Sequence, residues 1–386
     1  MTEITRSKRI VADLPSLPDS VVTRDGASFD PRSDMWRVAS LTLGTQSYNF
    51  ARFDKLGGET MRKLKLGLLW HLQNNSFSHA FNLYQRFRAF YDEQLSAMDD
   101  VSDVVQLGDI IGYRAKLNEK TEWKLGVLRI LIEDLHKLGL GIASEEVLGF
   151  LQNATIRGNI KGTSIRTRNP NAGAFSDTDL LSIQSALNDA FAEGKIDLYH
   201  FAASWLFLAY GPRPIQIVAL KESDLIVSED DGNTMYALRM PRAKQRGKGI
   251  RDSFKTRYCS KQVAQLLEMV IRSNKRRREH LGIEGDGDWP MFMSAEKGPL
   301  LGLEYHMTSF QIGRALINVV GKITGLNTNS KRFRITLAQR AVDDGKDKYT
   351  VAELLDHSDT QNVGVYYEAS PSMVLRLDRH LAMEMA

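Results

Sequence analysis

The chain has 386 residues, of which 42% are hydrophobic and 25% charged, a composition typical of a globular protein large enough for two domains. Its single cysteine, Cys259, excludes an internal disulfide framework and a cysteine-based zinc site. The net charge is a modest +4, and the sequence has neither an apolar run long enough to span a bilayer nor a signal peptide's apolar stretch after Met1, so we expect a cytoplasmic protein with no membrane partner.

The first part of the chain is predicted to be helical after an irregular start. Residues 1–32 are polar and contain three prolines, which indicates an extended arm, and apolar alternation around Gly44 predicts a short hairpin within residues 36–53. We therefore assign residues 1–55 to an arm with a hairpin and 56–152 to a helical domain. The stripes that define its first two helices are Leu64, Leu68, Leu69 and Leu72, and, after the predicted N-cap Ser76, Phe77, Phe81, Tyr84, Phe87 and Tyr91.

Residues 153–174 have the composition of a basic interdomain linker, because glycine, asparagine, threonine and serine interrupt every apolar pattern. The linker's basic residues are Arg157, Lys161, Arg166 and Arg168. A second basic stretch follows a predicted strand over residues 234–240, and a turn at residues 246–249 predicts a β-hairpin. The hairpin's basic residues include Arg242, Lys244, Arg246 and Lys248. Basic groups on a linker or hairpin suit contacts with DNA phosphates, although a basic run such as residues 275–278 equally fits a solvated helix face.

Two arginines and a C-terminal segment are candidates for a catalytic site. Arg213 follows Gly211 and Pro212, Arg334 closes a Lys-Arg-Phe-Arg run that begins at Lys331, and His357 precedes Tyr366 by nine positions. Cleaving a phosphodiester through a covalent intermediate needs a nucleophile, fixed positive charges on the non-bridging oxygens and a proton donor. Arginine grips phosphate oxygens, and a phenol can attack phosphorus and leave again. Each residue alone also fits a structural role, as a surface arginine, a capped turn or a core aromatic.

In chain order this set resembles the active site of the tyrosine recombinases, the phage-integrase family. The resemblance implies a mainly α protein with a small β-hairpin or sheet, in which a helical core-binding domain and a mixed α/β catalytic domain, residues 175–386, form a clamp around duplex DNA. It also implies that Tyr366 is the nucleophile, that Arg213 and Arg334 hold the non-bridging oxygens, and that His357 and Lys331 hydrogen-bond the transition state. The general acid would be a hairpin lysine, for which we choose Lys244 and keep Lys248 as the alternative.

Three positions depart from the family pattern. Lys331 stands where histidine is usual, Gln216 stands where an acidic residue often follows the first arginine, and Asp356 replaces the glycine that commonly precedes the histidine. None of these changes removes an essential charge. Tyr367, beside Tyr366, is a second candidate nucleophile, although the family spacing from His357 selects Tyr366.

The resemblance implies a site-specific recombinase or integrase that forms a 3′-phosphotyrosine intermediate. Its partners would be double-stranded DNA at the nucleoid, further copies in a homo-tetramer, and accessory proteins. The sequence contains neither a nucleotide-binding phosphate loop nor a metal-ligand cluster, so no cofactor or metal is expected. Residues 370–386 predict an amphipathic helix that docks on a neighbouring subunit or on its own. The alternatives are a topoisomerase of type IB that relaxes supercoils as a monomer, and a catalytically silent DNA-binding relative.

Overall fold

The structure is a computed structural model that describes residues 14–98, 103–159, 162–243, 245, 248–285, 287–357 and 360–368. The described residues fall into two compact units. The first unit comprises residues up to 24, 28–38 and 47–159, and the second comprises 25–27, 39–46 and the residues from 160 onwards. The second unit therefore takes up most of the segment that we predict to be a linker.

Among its described residues, the first unit has short strands followed by five helices. The strands are β1 (Val21–Val22), β2 (Ser28–Phe29), β3 (Met35–Val38) and β4 (Gln46–Asn49), and they pair as β1 with β2 and β3 with β4. The helices are α1 (Gly58–Asn74), α2 (Phe77–Glu93), α3 (Leu107–Lys116), α4 (Trp123–Lys137) and α5 (Glu145–Asn153), with a 3-10 turn over Leu95–Ala97. Strands β3 and β4 form the hairpin predicted around Gly44, and α1 and α2 contain the two predicted stripes.

Aromatic side chains make the core of this unit. Helix α2 begins after Ser76, whose hydroxyl accepts the His79 amide at 3.3 Å, and it buries Tyr84 against Tyr48 of β4 with ring centroids 4.7 Å apart. The Tyr84 hydroxyl accepts the Asn49 amide at 2.7 Å. The buried ring therefore keeps a partner for its polar end, and the α2 stripe packs as core.

The second unit combines one antiparallel sheet with ten helices among its described residues. The strands β5 (Leu225–Asp230), β6 (Asn233–Pro241) and β7 (Phe254–Tyr258) lie in that order, with Leu225 opposite Leu238 and Ala237 opposite Tyr258. The first five helices are α6 (Thr163–Arg166), α7 (Asp177–Ala192), α8 (Leu198–Tyr210), α9 (Pro214–Val218) and α10 (Lys261–Leu281). The others are α11 (Ser309–Ala315), α12 (Gly321–Thr324), α13 (Ser330–Asp343), α14 (Lys348–Leu354) and α15 (Gly364–Glu368).

Helix α13 packs into a buried apolar cluster with residues of α6, the α14 segment and α15. Its apolar face, including Ile335 and Val342, packs with Val351 and Leu355 from the α14 segment and with Ile165 of α6. Tyr366 of α15 belongs to the same buried cluster. The predicted hairpin is present as β6 and β7, and β5 adds a third strand that was not predicted from the sequence. Among the described residues, no helix combines the length and the apolar character needed to cross a membrane.

Arg332 is a buried arginine that fastens the preceding segment to α13. Its guanidinium donates to the carbonyl oxygens of Gly173 at 3.0 Å, Asn327 at 2.7 Å and Pro170 at 2.7 Å. It also lies over the Phe175 ring, 3.9 Å from the centroid. The hydrogen bonds and the ring together compensate the charge for its burial.

We expect Arg332→Lys to lower the free energy of unfolding by about 3 kcal/mol, because an ammonium group cannot reach three separated carbonyls and leaves buried acceptors without donors. Chemical denaturation measures the change. The control is Arg340→Lys on the same helix, whose ion pair with Asp177 is exposed; we expect it to cost under about 1 kcal/mol. Equal losses in the two variants would contradict the structural role of Arg332.

Candidate active site

Gly211 brings the end of α8 against α13. It adopts the left-handed conformation with φ of 53°, and a Cβ atom built on it would lie 3.0 Å from the Cα of Arg334. Only glycine meets both the backbone and the space requirement without strain. After Pro212, Arg213 is the N-cap residue of α9, and the side chain of Gln216 accepts its backbone amide at 3.0 Å. The close approach at Gly211 therefore sets Arg213 beside Arg334.

Arg334 is held by two carbonyl groups from separate segments. Its guanidinium donates to the oxygen of Gly211 at 3.1 Å and to that of Leu355. Burial lowers its pKa, the neighbouring charge of Arg213 lowers it further, and Tyr366 and Asp356 act in the opposite direction. The guanidinium is thus fixed in position within a cluster of like charge.

The Arg213 guanidinium has one buried nitrogen that forms no hydrogen bond among the described residues. Its Nη1 atom is inaccessible to solvent and has no hydrogen-bond partner among the described residues. Burial lowers its pKa, and the coulombic effects of Asp356 and Tyr366 raise it. A buried donor without an acceptor is costly, and a phosphate oxygen is the acceptor that suits a guanidinium. This atom therefore favours an anionic ligand at the site.

The adjacent tyrosines of α15 face different surroundings. Tyr366 is 6% exposed; burial raises its pKa, and Arg334 and Arg213 oppose that rise through their charges. Tyr367 instead donates its hydroxyl hydrogen to the carbonyl oxygen of Lys346 at 2.8 Å. Tyr366 is therefore the tyrosine that interacts with the two arginines.

Three cations cap the C-terminal end of α14. Lys255 and Arg257, two positions apart on β7, and Arg334 of α13 each donate to a carbonyl oxygen. The acceptors are three consecutive residues, Glu353, Leu354 and Leu355. These carbonyls lie at the C-terminal end of the helix and carry the negative end of its dipole, so cations stabilise them. Lys255 and Arg257 are not among the site residues predicted from the sequence, although their alternation on a strand is a usable signal.

Asp356 and His357 follow this cap. Asp356 is 4% exposed and adopts φ of 53°, a region that glycine favours and aspartate tolerates. Its carboxylate accepts from Arg242 Nε at 2.6 Å and from Gln216 Nε2 at 3.4 Å. Two of the three positions that depart from the resembled pattern, 216 and 356, are thus in contact with each other. The half-buried His357 donates its backbone amide to the Ala352 oxygen at 2.9 Å.

The remaining predicted site residues are more dispersed. Lys331 is exposed in the first turn of α13, and Lys248 is exposed beyond β6, where its backbone amide approaches the Gln245 oxygen at 3.4 Å. The other predicted residues, Lys161, Lys244 and Arg246, lie outside the described residues. The structure therefore brings together Arg213, Arg334 and Tyr366 from the predicted set.

The predicted DNA-contacting arginines form ion pairs. Arg157 pairs with Glu119 in the first unit. In the second unit, Arg166 pairs with Glu368 at 2.7 Å and Arg168 with Asp343 at 3.2 Å. These arginines are at least 43% exposed, so the pairs contribute little to stability and a phosphate can displace the carboxylates. Arg242 differs, because its partner Asp356 is buried.

Within the described part of the chain, no group of three or more His, Cys, Asp or Glu side chains is placed to hold a metal ion.

No protein-family model matches the chain, and a search of the curated proteins gives no match. Solved structures do match. A XerH site-specific recombinase bound to palindromic difH substrate in a post-cleavage complex is 13% identical with a TM-score of 0.53, covering 85% of this chain and 85% of that one.

A second solved structure is the Tn1549 transposon integrase in complex with a circular intermediate DNA. It is 15% identical with a TM-score of 0.52, and the alignment covers 83% of this chain and 98% of that chain. The described chain therefore has the fold of the tyrosine recombinases. The predicted fold class, mainly α with a small β-hairpin or sheet, is confirmed, and the observed sheets are small and antiparallel.

We expect Gly211→Ala to lower the free energy of unfolding by about 2 kcal/mol, from the left-handed backbone and from the contact with the Arg334 Cα. Gly232→Ala is the matched control, since Gly232 has φ of 78° with nothing within 4 Å of the added carbon, and should cost about 1 kcal/mol. Chemical denaturation of both variants gives the difference. If the two losses are equal, the close approach of α8 to α13 does not contribute to the free energy of unfolding.

Proposed function

We propose that this protein is a site-specific DNA recombinase that cleaves and rejoins DNA through a 3′-phosphotyrosine. The observation that carries the proposal is the grouping of Tyr366 with Arg213 and Arg334, one of which keeps a buried, unpartnered N–H among the described residues. The tyrosine-recombinase fold supports it. A tyrosine can serve as the nucleophile of phosphoryl transfer, and the two arginines can bind the phosphate oxygens.

In the proposed reaction, Arg213 and Arg334 bind the non-bridging oxygens of the scissile phosphate. Tyr366 Oη forms a bond to phosphorus while the bond from phosphorus to the 5′-oxygen breaks. The phenol loses a proton and the leaving oxygen gains one, so the products are a 3′-phosphotyrosine and a 5′-hydroxyl. Attack by a 5′-hydroxyl from a partner strand reverses these steps and releases Tyr366. The two fixed guanidinium groups stabilise the extra negative charge of the transition state.

Other groups complete the proposed site. Lys244 is the proposed general acid, with Lys248 as the competing candidate. Lys244 lies two positions after Arg242, which is ion-paired with Asp356. His357 and Lys331 are proposed to hydrogen-bond the phosphate oxygens as they become more negative. The exposed arginines Arg157, Arg166 and Arg168, with Lys161 and Arg246, are proposed contacts to the DNA backbone.

Strand exchange requires more than one active site, so the proposed working form is a homo-tetramer on double-stranded DNA at the nucleoid, with accessory proteins as further partners. The domain boundaries at residues 55, 152 and 174 and the exchange helix at 370–386 stay predictions. The exchange helix lies outside the described residues. The chemistry as proposed uses no cofactor.

The nucleophile can be tested with nicked suicide duplexes that carry a randomised central segment, because the freed short strand diffuses away and leaves the covalent adduct. We expect the wild-type protein and Tyr367→Phe to form an adduct that survives denaturing electrophoresis, and Tyr366→Phe to form none. Binding of the same duplexes should stay within about threefold, since only one phenol oxygen is lost.

An adduct with Tyr366→Phe and none with Tyr367→Phe would move the nucleophile by one position. Supercoil relaxation by the wild-type protein without any strand exchange would favour the topoisomerase alternative. DNA binding with no adduct in any variant would favour the catalytically silent alternative.

The general acid can be identified on the cleavage site recovered by sequencing the captured adducts. Sulfur in place of the 5′-bridging oxygen leaves without a proton, so it rescues only the variant that lacks the acid. We expect Lys244→Ala to be nearly inactive on normal DNA and close to wild type on the sulfur substrate. Lys248→Ala should show a milder, salt-dependent loss on both substrates.

Rescue of Lys248→Ala alone would reverse the assignment of the acid. Rescue of neither variant would show that the proton comes from another residue or from water. The comparison is made in single turnovers at saturating protein, so that differences in DNA affinity do not enter the rate.

A further inference from the structure

Asp356 is a carboxylate buried among arginines. Its side chain is 1% exposed, and buried carboxylates in proteins are almost always paired. Arg242 forms the direct ion pair at 2.6 Å. The same carboxylate raises the pKa of three further arginines through its charge, namely Arg213, Arg257 and Arg334. Four arginines therefore share one buried negative charge.

The contacts of Asp356 connect three segments that are far apart in the chain. Gln216 belongs to α9, Arg242 follows the end of β6, and Asp356 precedes His357 after α14. Gln216 Oε1 accepts the backbone amide of Arg213 at 3.0 Å, and its Nε2 donates to the Pro241 oxygen at 2.9 Å as well as to Asp356. The carboxylate thereby links Arg242 to the start of the helix that follows Arg213.

The hydrogen bonds also explain why the negative charge is at position 356 and not at 216. Both ends of the Gln216 amide are used, and its nitrogen must donate to the Pro241 oxygen. A glutamate at this position would set a carboxylate oxygen against that carbonyl. Asp356, which tolerates φ of 53°, carries the charge from the opposite side.

We propose that Asp356 is a positioning residue for DNA cleavage, whose carboxylate orients Arg242 and, through Gln216, Arg213, and holds the buried arginine cluster together until the scissile phosphate binds. This inference rests on the proposed function. A positioning role predicts a slower cleavage step without weaker DNA binding. Removing Asp356 makes the site more positive and so does not weaken its attraction for DNA. The loss should appear in the cleavage step alone.

Two substitutions separate charge from backbone conformation. Asp356→Gly removes the side chain at a position where glycine is unstrained, and Asp356→Asn keeps the size and tolerates the same φ. We expect each to slow single-turnover adduct formation on the nicked duplex pool by about thirtyfold or more, because the arginines lose their fixed orientation. DNA affinity should be equal to wild type or higher. The thermal midpoint should fall in both variants, because the buried arginines lose their counter-charge, so cleavage rates are compared well below that midpoint.

Chemical rescue tests the carboxylate itself. Sodium formate should raise the rate of Asp356→Gly by roughly tenfold, since a small carboxylate can enter the vacated space beside Arg242, and sodium chloride at the same ionic strength should not. Asp356→Asn should not respond, because its carboxamide fills that space. Arg242→Gln should slow cleavage like Asp356→Asn, and the double variant should be no slower than either, as expected for residues that act as one unit.

Several results would overturn the positioning role. They are wild-type cleavage by Asp356→Asn, a folded, DNA-binding Asp356→Gly that formate fails to accelerate, and additive losses in the double variant. The wild-type protein distinguishes this failure from failure of the proposed function. A wild-type protein that forms no adduct contradicts both, whereas a wild-type adduct with any of those results contradicts the role of Asp356 alone.

Discussion

The burial of several guanidinium groups close together is the constraint on which the second unit depends. Arg213, Arg257 and Arg334 all lose hydration, and Arg213 and Arg257 each lower the pKa of Arg334. Burial of like charges is tolerated only where hydrogen bonds and counter-charge offset the lost solvation. Here the offset comes from the C-terminal carbonyls of α14 and from Asp356. The end of one short helix therefore holds the cationic site together.

The same arrangement explains why the backbone is unusual at two places. Gly211 allows the α8 terminus to approach the Arg334 Cα, so its carbonyl can accept from Arg334. Asp356 occupies a left-handed conformation that turns its carboxylate back toward Arg242 and Gln216. Both residues adopt a left-handed backbone that most other residue types adopt only with strain, and each lies directly beside a proposed catalytic group.

The sequence was informative where signals are local or ordered along the chain. Helical periodicity located α1 and α2, and motif order selected Arg213, Arg334 and Tyr366, which the structure brings together. It was uninformative where a role depends on a partner distant in sequence. Arg332, Lys255 and Arg257 look like ordinary basic residues until their carbonyl acceptors are known. The contact of Arg242 with DNA stays a prediction, and its ion pair with a buried carboxylate 114 positions away could not be predicted from the sequence. Lys244 stays a prediction from hairpin position.

The position of Tyr366 has a consequence for how charge moves in the proposed reaction. Burial disfavours the phenolate, while Arg334 and Arg213 favour it, so the two arginines lower the cost of forming the nucleophile. During attack the negative charge passes from the phenol oxygen to the phosphate oxygens. Because the same guanidinium groups face both positions in this mechanism, they stabilise the charge throughout without moving. A site whose cations are already fixed avoids the reorganisation that solvent would require, which is why the network that fixes them matters as much as the charges themselves.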